Sequence, residues 1–229
     1  MKQLTILVTS GGTSEYIDDV RIITNISTGK LGAKIADEFI VAGHKVIYLH
    51  GRRSVMPVNA GSEEFGSWYT RSKMLVNIEV ASAMDVFNEM EKLVPTVDVV
   101  IHAMAVSDFG FRRDKSVKLK SNDPMAFIEY LSENIIVNPK ILYHVKRWNP
   151  NVKLVSFKFE VGQSNQSLIE IAMESMKNAG SDAVIANDKV EMNNSKEHVA
   201  YLVLPSGTTV KLKGKDEIAK ELVKFVDGN

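Results

Sequence analysis

The chain has 229 residues, and its 28 Lys plus Arg balance its 28 Asp plus Glu. It can bury a full core, and no global field recruits nucleic acid or an acidic membrane surface. Cysteine is absent, which removes disulfides, thiolate catalysis and Cys-based zinc or iron-sulfur sites and fits a reducing cytoplasm.

The opening "MKQLTILVTSGG" carries an apolar run too short and too β-branched for a signal or membrane segment. "LTILV" (4–8) reads as a strand buried on both faces. Leu31, Ile35 and Phe39, with Ala36 and Ile40, make one apolar face at helical spacing, and Gly43 stops that helix. "KVIYLHG" (45–51) follows as a second strand, completing a parallel βαβ unit. Residues 52–74 lack a clear period and read as a loop with a short helix.

"LVNIEV" (75–80) is the next strand, and Ser82 caps a helix over 83–94 built on Met84, Phe87, Met90 and Val94. "VDVVIHAMAV" (97–106) is the most apolar strand and is expected at the centre of the sheet. Residues 107–123 are polar and basic and are expected as a loop. "NPKILYHVKRW" (138–148) reads as a short helix with Pro139 in its first turn.

A strand over 152–160, a helix over 167–180 and a strand over 182–188 restore the alternation. Residues 200–214 read as a hairpin about Ser206 and Gly207, and 216–226 as a closing amphipathic helix. No repeat, linker or span of roughly 20 apolar residues interrupts the pattern. The expectation is a single α/β domain over 1–229 with a mostly parallel sheet and a C-terminal β-hairpin, without a membrane segment.

Such sheets bind ligands at the carboxyl ends of their strands. The nominated rim is Thr9 to Thr13, Ala103 to Phe109, Phe157 to Glu160 and Ala186 to Lys189. Familiar motifs fail here. A phosphate loop would need Gly at position 24 and Ser or Thr at 31, where the chain has Thr24 and Leu31. "SGGTSE" breaks the dinucleotide pattern, and "YLHGRR" ends the second strand without an acid for a ribose. His44, His50, His102, His144 and His198 have no metal-binding spacing, so no metal ligand is assigned.

"NISTGKLG" (25–32) retains a physical reading. Ser27 or Thr28 would be the N-cap, Gly29 would let a phosphate approach the backbone, and Gly32 would let the helix pack on the sheet. Arg21 lies just upstream, and Lys118 and Lys120 share one side of an extended "KLK" segment. A helix N-terminus with these cations suits a polyphosphate. An ordinary capped helix beside a solvated charge run remains the plainer alternative.

"VTSGGTSEYIDDVRIITNISTGKLG", "AMAVSDF", "VKLK", "SFKFE" and "DAVIAND" together resemble phosphopantothenoylcysteine synthetase, the ligase of coenzyme A biosynthesis. The resemblance covers nearly the whole chain. It implies a Rossmann-like sheet with helices on both faces, a homodimer whose sites are completed by the partner subunit, and the joining of 4'-phosphopantothenate to L-cysteine. CTP is the expected nucleotide, ATP the alternative, with Mg²⁺ bridging phosphates.

Carried over by position, Asn25 stabilises the acyl-nucleotide and Arg21 lies near the pantothenate. Lys120, with Lys118, neutralises the triphosphate, and Asp108 accepts ribose hydroxyls. By position too, Ala103, Ala105 and Phe157 line the nucleotide and Asn187 touches substrate beside Asp188, while Gly11, Gly12, Ser27, Thr28 and Gly29 are expected to bind the nucleotide as the turn and helix start around them. Ser121 departs from the family's K-x-K-K, and "SFKFE" is closer to eukaryotic members than to most bacterial ones.

In many bacteria a flavin-dependent decarboxylase is fused ahead of this domain. Here Met1 lies three residues before the first predicted strand, so a separate decarboxylase chain is expected as pathway neighbour. Two rival readings stand beside the ligase: a nicotinamide-dependent reductase and a non-catalytic nucleotide-binding module.

Overall fold

β1 (Thr5–Ser10) is buried over five of its six residues because parallel partners flank it on both edges. It belongs to a computed structural model that describes residues 2–58, 74–112, 119 and 122–228. A Gly-Gly-Thr turn leads into an antiparallel ribbon of β2 (Ser14–Tyr16) and β3 (Ile22–Thr24). α1 (Lys30–Val41) then runs back along the sheet to β4 (Lys45–Gly51), and β5 (Leu75–Val80) takes the outer edge.

α2 (Ala83–Leu93) crosses to β6 (Val99–His102) on the other side of β1. A second ribbon pairs β7 (Phe109–Phe111) with β8 (Ile135–Val137), with α3 (Pro124–Asn134) between them. α4 (Val145–Trp148), β9 (Lys153–Glu160), α5 (Asn165–Ala179), β10 (Ala183–Asp188) and α6 (Lys189–Ser195) continue the chain. Antiparallel β11 (Val199–Val203) and β12 (Thr209–Lys213) and the closing α7 (Lys215–Asp227) complete it.

The eight-stranded sheet has the order β12-β11-β10-β9-β6-β1-β4-β5. Its parallel strands, ranked along the chain and read from β5, run 3-2-1-4-5-6, the doubly wound order. The winding reverses between β1 and β6, the switch point at whose carboxyl ends sheets of this order bind ligands.

Alternation along β1 divides the core. Ile6 and Val8 join Phe39 of α1 and Leu222 of α7 on one face, while Leu7 joins Met90 of α2 and Val145 of α4 on the other. Burying a side chain such as Phe39 contributes roughly 1.5–3 kcal/mol. The far end of the sheet has its own cluster, where Leu168 and Ala172 of α5 meet Ala186 and Tyr201.

The expected βα alternation, parallel sheet and C-terminal hairpin are present. Three expectations need correction. The strand expected over 97–106 stops at His102, because residues 103–106 turn across the end of β1. The loop expected over 107–123 contains β7. The helix expected over 138–148 is only a 3-10 turn (Ile141–Tyr143) followed by α4, because Asn138 is held extended by the neighbouring ribbon and Pro139 follows it. Most of 52–74, where a loop with a short helix was expected, lies outside the described residues.

Candidate active site

Beyond the carboxyl ends of β1 and β6 the two following segments are joined by backbone hydrogen bonds. Ala105 N donates to Gly11 O at 2.8 Å, Thr13 N donates to Ala105 O at 3.2 Å, and Gly12 and Ala105 form an isolated parallel bridge. Asn25 Nδ2 donates to the same Ala105 carbonyl at 3.0 Å. Gly11, Gly12, Ala105 and Asn25 therefore form one surface, although 80 positions separate Asn25 from Ala105. Ala103 joins this wall through its N–H, which donates to Thr9 O at 3.2 Å.

α1 begins beside that surface with a bare N-terminus. Its N-cap is Gly29, with φ 71° in the left-handed region, and no side chain caps it. This corrects the expected Ser27 or Thr28 cap. Ser27 N donates to Asn25 O at 2.9 Å, and Thr28 O accepts from Val55 N at 2.9 Å, so both residues shape the approach rather than close the helix. Ser10 Oγ donates to Gly29 O at 3.0 Å, fixing the left-handed turn to the end of β1.

A Cβ on Gly32 would stand 2.3 Å from Ser10 Oγ, so this glycine seats α1 on the sheet as expected. Among the described residues no side chain caps the first turn, the arrangement in which helix-end N–H groups can take an anion. Lys30 is exposed at the first helical position.

The flanking wall rests on polar contacts that periodicity does not reveal. Thr9 Oγ1 lies 2.8 Å from His102 Nδ1 and accepts from Met104 N at 3.2 Å. Burial pushes His102 down to about 4, so the ring is neutral near neutral pH. Thr13 Oγ1 accepts from Ser107 N at 2.9 Å. Glu15 Oε1 accepts from Ala83 N at 2.8 Å, beneath the N-terminus of α2. Burial raises the Glu15 carboxyl above its ordinary value, against the lowering effect of its hydrogen-bond donors. The threonines of "VTSGGT" were the available signal, since polar residues at a buried strand end must find partners.

The remaining candidates lie around this centre. Arg21 donates from Nη1 to Asp18 and to Leu119 O, the latter at 3.1 Å. Asp108 is exposed and pairs with Lys140 at 2.6 Å. Phe157 is half-buried on the α1 face of the sheet. Asn187 is buried and donates to Met192 Sδ at 3.1 Å. It sits three strands from β1, roughly 14 Å at ordinary strand spacing. Its neighbour Asp188 caps α6 and accepts from Gln163 N, which ties the loop after β9 to the end of β10. Lys118 and Lys120 lie outside the described residues.

The class this fold defines is a doubly wound sheet with a helix N-terminus that lacks a side-chain cap beside its switch point. The model of the DNA/pantothenate metabolism flavoprotein C-terminal domain matches residues 1–228, and the chain belongs to that family. The chain is 33% identical over 217 residues to a coenzyme A biosynthesis bifunctional protein CoaBC from Thermococcus kodakarensis, covering 95% of this chain and 49% of that protein. The same-named protein of Borreliella burgdorferi is 28% identical, with 99% and 53% covered. The chain thus spans about half the length of these curated relatives.

The DNA/pantothenate metabolism flavoprotein of Streptococcus pneumoniae superposes with a TM-score of 0.82 at 30% identity, covering 98% of this chain and 99% of that one. A Cab2 H337A mutant, solved in complex with phosphopantothenate-cysteine, shares the fold with a TM-score of 0.71 at 20% identity, covering 98% and 87%.

Proposed function

We propose that the chain joins 4'-phosphopantothenate to L-cysteine at the expense of a nucleoside triphosphate, in coenzyme A biosynthesis. The observation that carries this reading is the uncapped N-terminus of α1 beside the Asn25–Ala105–Gly12 surface. There a triphosphate meets free backbone N–H groups while an amide side chain lies at the α-phosphate. The family and the names of its relatives support the same reaction.

In the first step the carboxylate of 4'-phosphopantothenate attacks the α-phosphorus, and the bond to the β-phosphate breaks to release pyrophosphate. In the second the cysteine amine attacks the acyl carbon, the nucleoside monophosphate leaves, and the nitrogen loses a proton. One Asn25 amide hydrogen is held by Ala105, and the other, which meets no acceptor among the described residues, serves the mixed anhydride. Lys120, with Lys118, neutralises the triphosphate. Asp108 receives the ribose hydroxyls by exchanging Lys140. Phe157 and Ala103 line the nucleotide, and Asn187 serves the substrate end.

CTP is the nucleotide this reading favours over ATP. Among the described residues no group of three or more His, Asp or Glu is placed to hold a metal ion; Mg²⁺ would arrive with the triphosphate and would supply charge neutralisation there. Exposed Val20 and Ile26 beside the first ribbon and Phe109 and Val137 on the second support a homodimer.

Incubation with 4'-phosphopantothenate, cysteine, Mg²⁺ and either CTP or ATP should release pyrophosphate. No release with either nucleotide defeats the ligase and leaves the binding module or the reductase. In a single-turnover trap, Asn25→Asp should form acyl-nucleotide but turn it over slowly, whereas Lys120→Gln should block its formation. The opposite pattern reverses the two roles.

A further inference from the structure

The turn joining β2 to β3 holds a carboxylate that the proposed reaction does not use. Asp18 is 1% exposed although its neighbours Asp19 and Val20 face solvent. A buried carboxylate is tolerated when both oxygens are fully paired. Oδ1 accepts from Val20 N at 2.9 Å and Arg21 N at 2.7 Å, a local turn that a polar side chain commonly closes.

Oδ2 has a different task. It accepts from Leu119 N at 3.2 Å, 101 positions away, and from Arg21 Nη1. The same Nη1 donates to Leu119 O at 3.1 Å. One carboxylate and one guanidinium thus hold both backbone polar groups of Leu119. Burial pushes the Asp18 carboxyl up, but the three amides and the Arg21 guanidinium outweigh it and hold it below the usual carboxylate range.

Arg21 is fixed from a second side by the Phe127 ring, whose centroid lies 5.7 Å from its guanidinium carbon. A guanidinium has five N–H donors. Those on Nη1 are committed to Asp18 and Leu119, while Nε and Nη2 make no hydrogen bond to a described residue.

We propose that Asp18 is a positioning residue. Its Oδ2 locks Nη1 of Arg21 against Leu119, so that Nε and Nη2 form a preset fork for an anionic oxygen group of 4'-phosphopantothenate. The inference rests on the ligase reading above. Without the lock the arginine must lose rotamers on binding, and the loss appears in the affinity for the group it grips rather than in the chemical step.

Wild-type pyrophosphate release is measured first, because its absence defeats the ligase reading whatever Asp18 does. With an active wild type, Asp18→Asn should raise KM for 4'-phosphopantothenate about tenfold while kcat and the nucleotide KM stay within about twofold. Arg21→Gln should raise the same KM at least as far, and the double variant should be no worse than Arg21→Gln, because the lock has nothing left to hold.

An unchanged KM, a shift in the nucleotide KM instead, a fall in kcat alone, or independent multiplication with Arg21→Gln overturns the proposal. Far-ultraviolet circular dichroism and melting establish that the variants fold. Should Asp18→Asn fail to fold, Asp18→Glu decides, since it keeps the charge and displaces the carboxylate. It should raise KM for 4'-phosphopantothenate selectively, and a wild-type value refutes the role.

Discussion

Gly51, the last residue of β4, has its α-carbon against the glycine turn after β1: a Cβ there would stand 2.3 Å from Gly12 O. Gly12 is held equally closely, since its own Cβ would stand 2.7 Å from Asn25 O. Both obstacles are backbone, so neither can swing aside. Gly51→Ala should therefore push Gly12 away from Ala105 and strain the chain by about 1–3 kcal/mol. Because that bridge forms the floor under Asn25, CTP and ATP affinity should fall about tenfold or more by titration calorimetry, at 1.4 kcal/mol per decade. Gly43→Ala is the matched control: φ is 91° there, but nothing lies within 4 Å of a Cβ. It should cost about 1–2 kcal/mol of stability from the left-handed backbone alone and leave nucleotide affinity intact. Equal nucleotide binding by wild type and Gly51→Ala would refute the close-approach argument.

α2 shows how an element can hold the site without touching ligand. Ser82 Oγ accepts from Asp85 N at 3.1 Å, and Asp85 Oδ2 accepts from Ser82 N at 2.8 Å, a reciprocal cap at the helix start. The next amide, Ala83 N, supports Glu15 beneath the Thr13 turn. Ser82→Ala should cost about 1 kcal/mol and lower Tm by about 2–4 °C. A scanning-calorimetry Tm equal to wild type would remove the cap from the account. This helix was legible because the capping residue Ser82 stands directly ahead of the apolar run of Met84, Phe87, Met90 and Val94. β4 and β5 were legible to the residue because their runs are long and bounded by turns. The ribbons were not. β2, β3, β7 and β8 have three residues each, too few to establish a period of two, and β7 meets its partner β8 only across α3. α3 escaped the periodicity reading because it buries no residue, although Asp123 ahead of Pro124 is a cap signal that could have marked it. Asn25 and Ala105 were proposed from resemblance, and it is the topology that brings them together. Asp18 gave no such signal, because a carboxylate in a turn reads as solvated until its distant partner at Leu119 is known.

At the scale of the whole molecule, the buried ionisable groups set how the fold responds to acid. Burial pushes both His102 and His198 down from 6.5 to about 4, with the charge of Lys215 adding to the effect at His198. The sign follows from proton uptake. Between about 6.5 and 4 the unfolded chain binds protons at these histidines and the folded chain does not, so their contribution is complete above that window and lost as pH falls through it. For fully buried His102 the loss amounts to about 3 kcal/mol at most. Asp18 and Asp188 act at lower pH: both are held below 3.8, so the stability they add is present above that value and lost beneath it. Glu15 opposes the trend, since burial raises it above 4.5 and its contribution is fully present below 4.5 and declines as pH rises. Urea melts between pH 4 and 7 should show wild-type stability falling toward acid. His102→Gln should flatten that slope, because a neutral amide takes up no proton in either state. The acid limb also concerns the site, since charging the buried His102 disturbs the wall it shares with Thr9, whose hydroxyl holds Met104 N between Ala103 and Ala105. Nucleotide affinity should accordingly weaken in the wild type before the chain unfolds. A His102→Gln slope equal to the wild-type slope would place the acid sensitivity elsewhere in the fold.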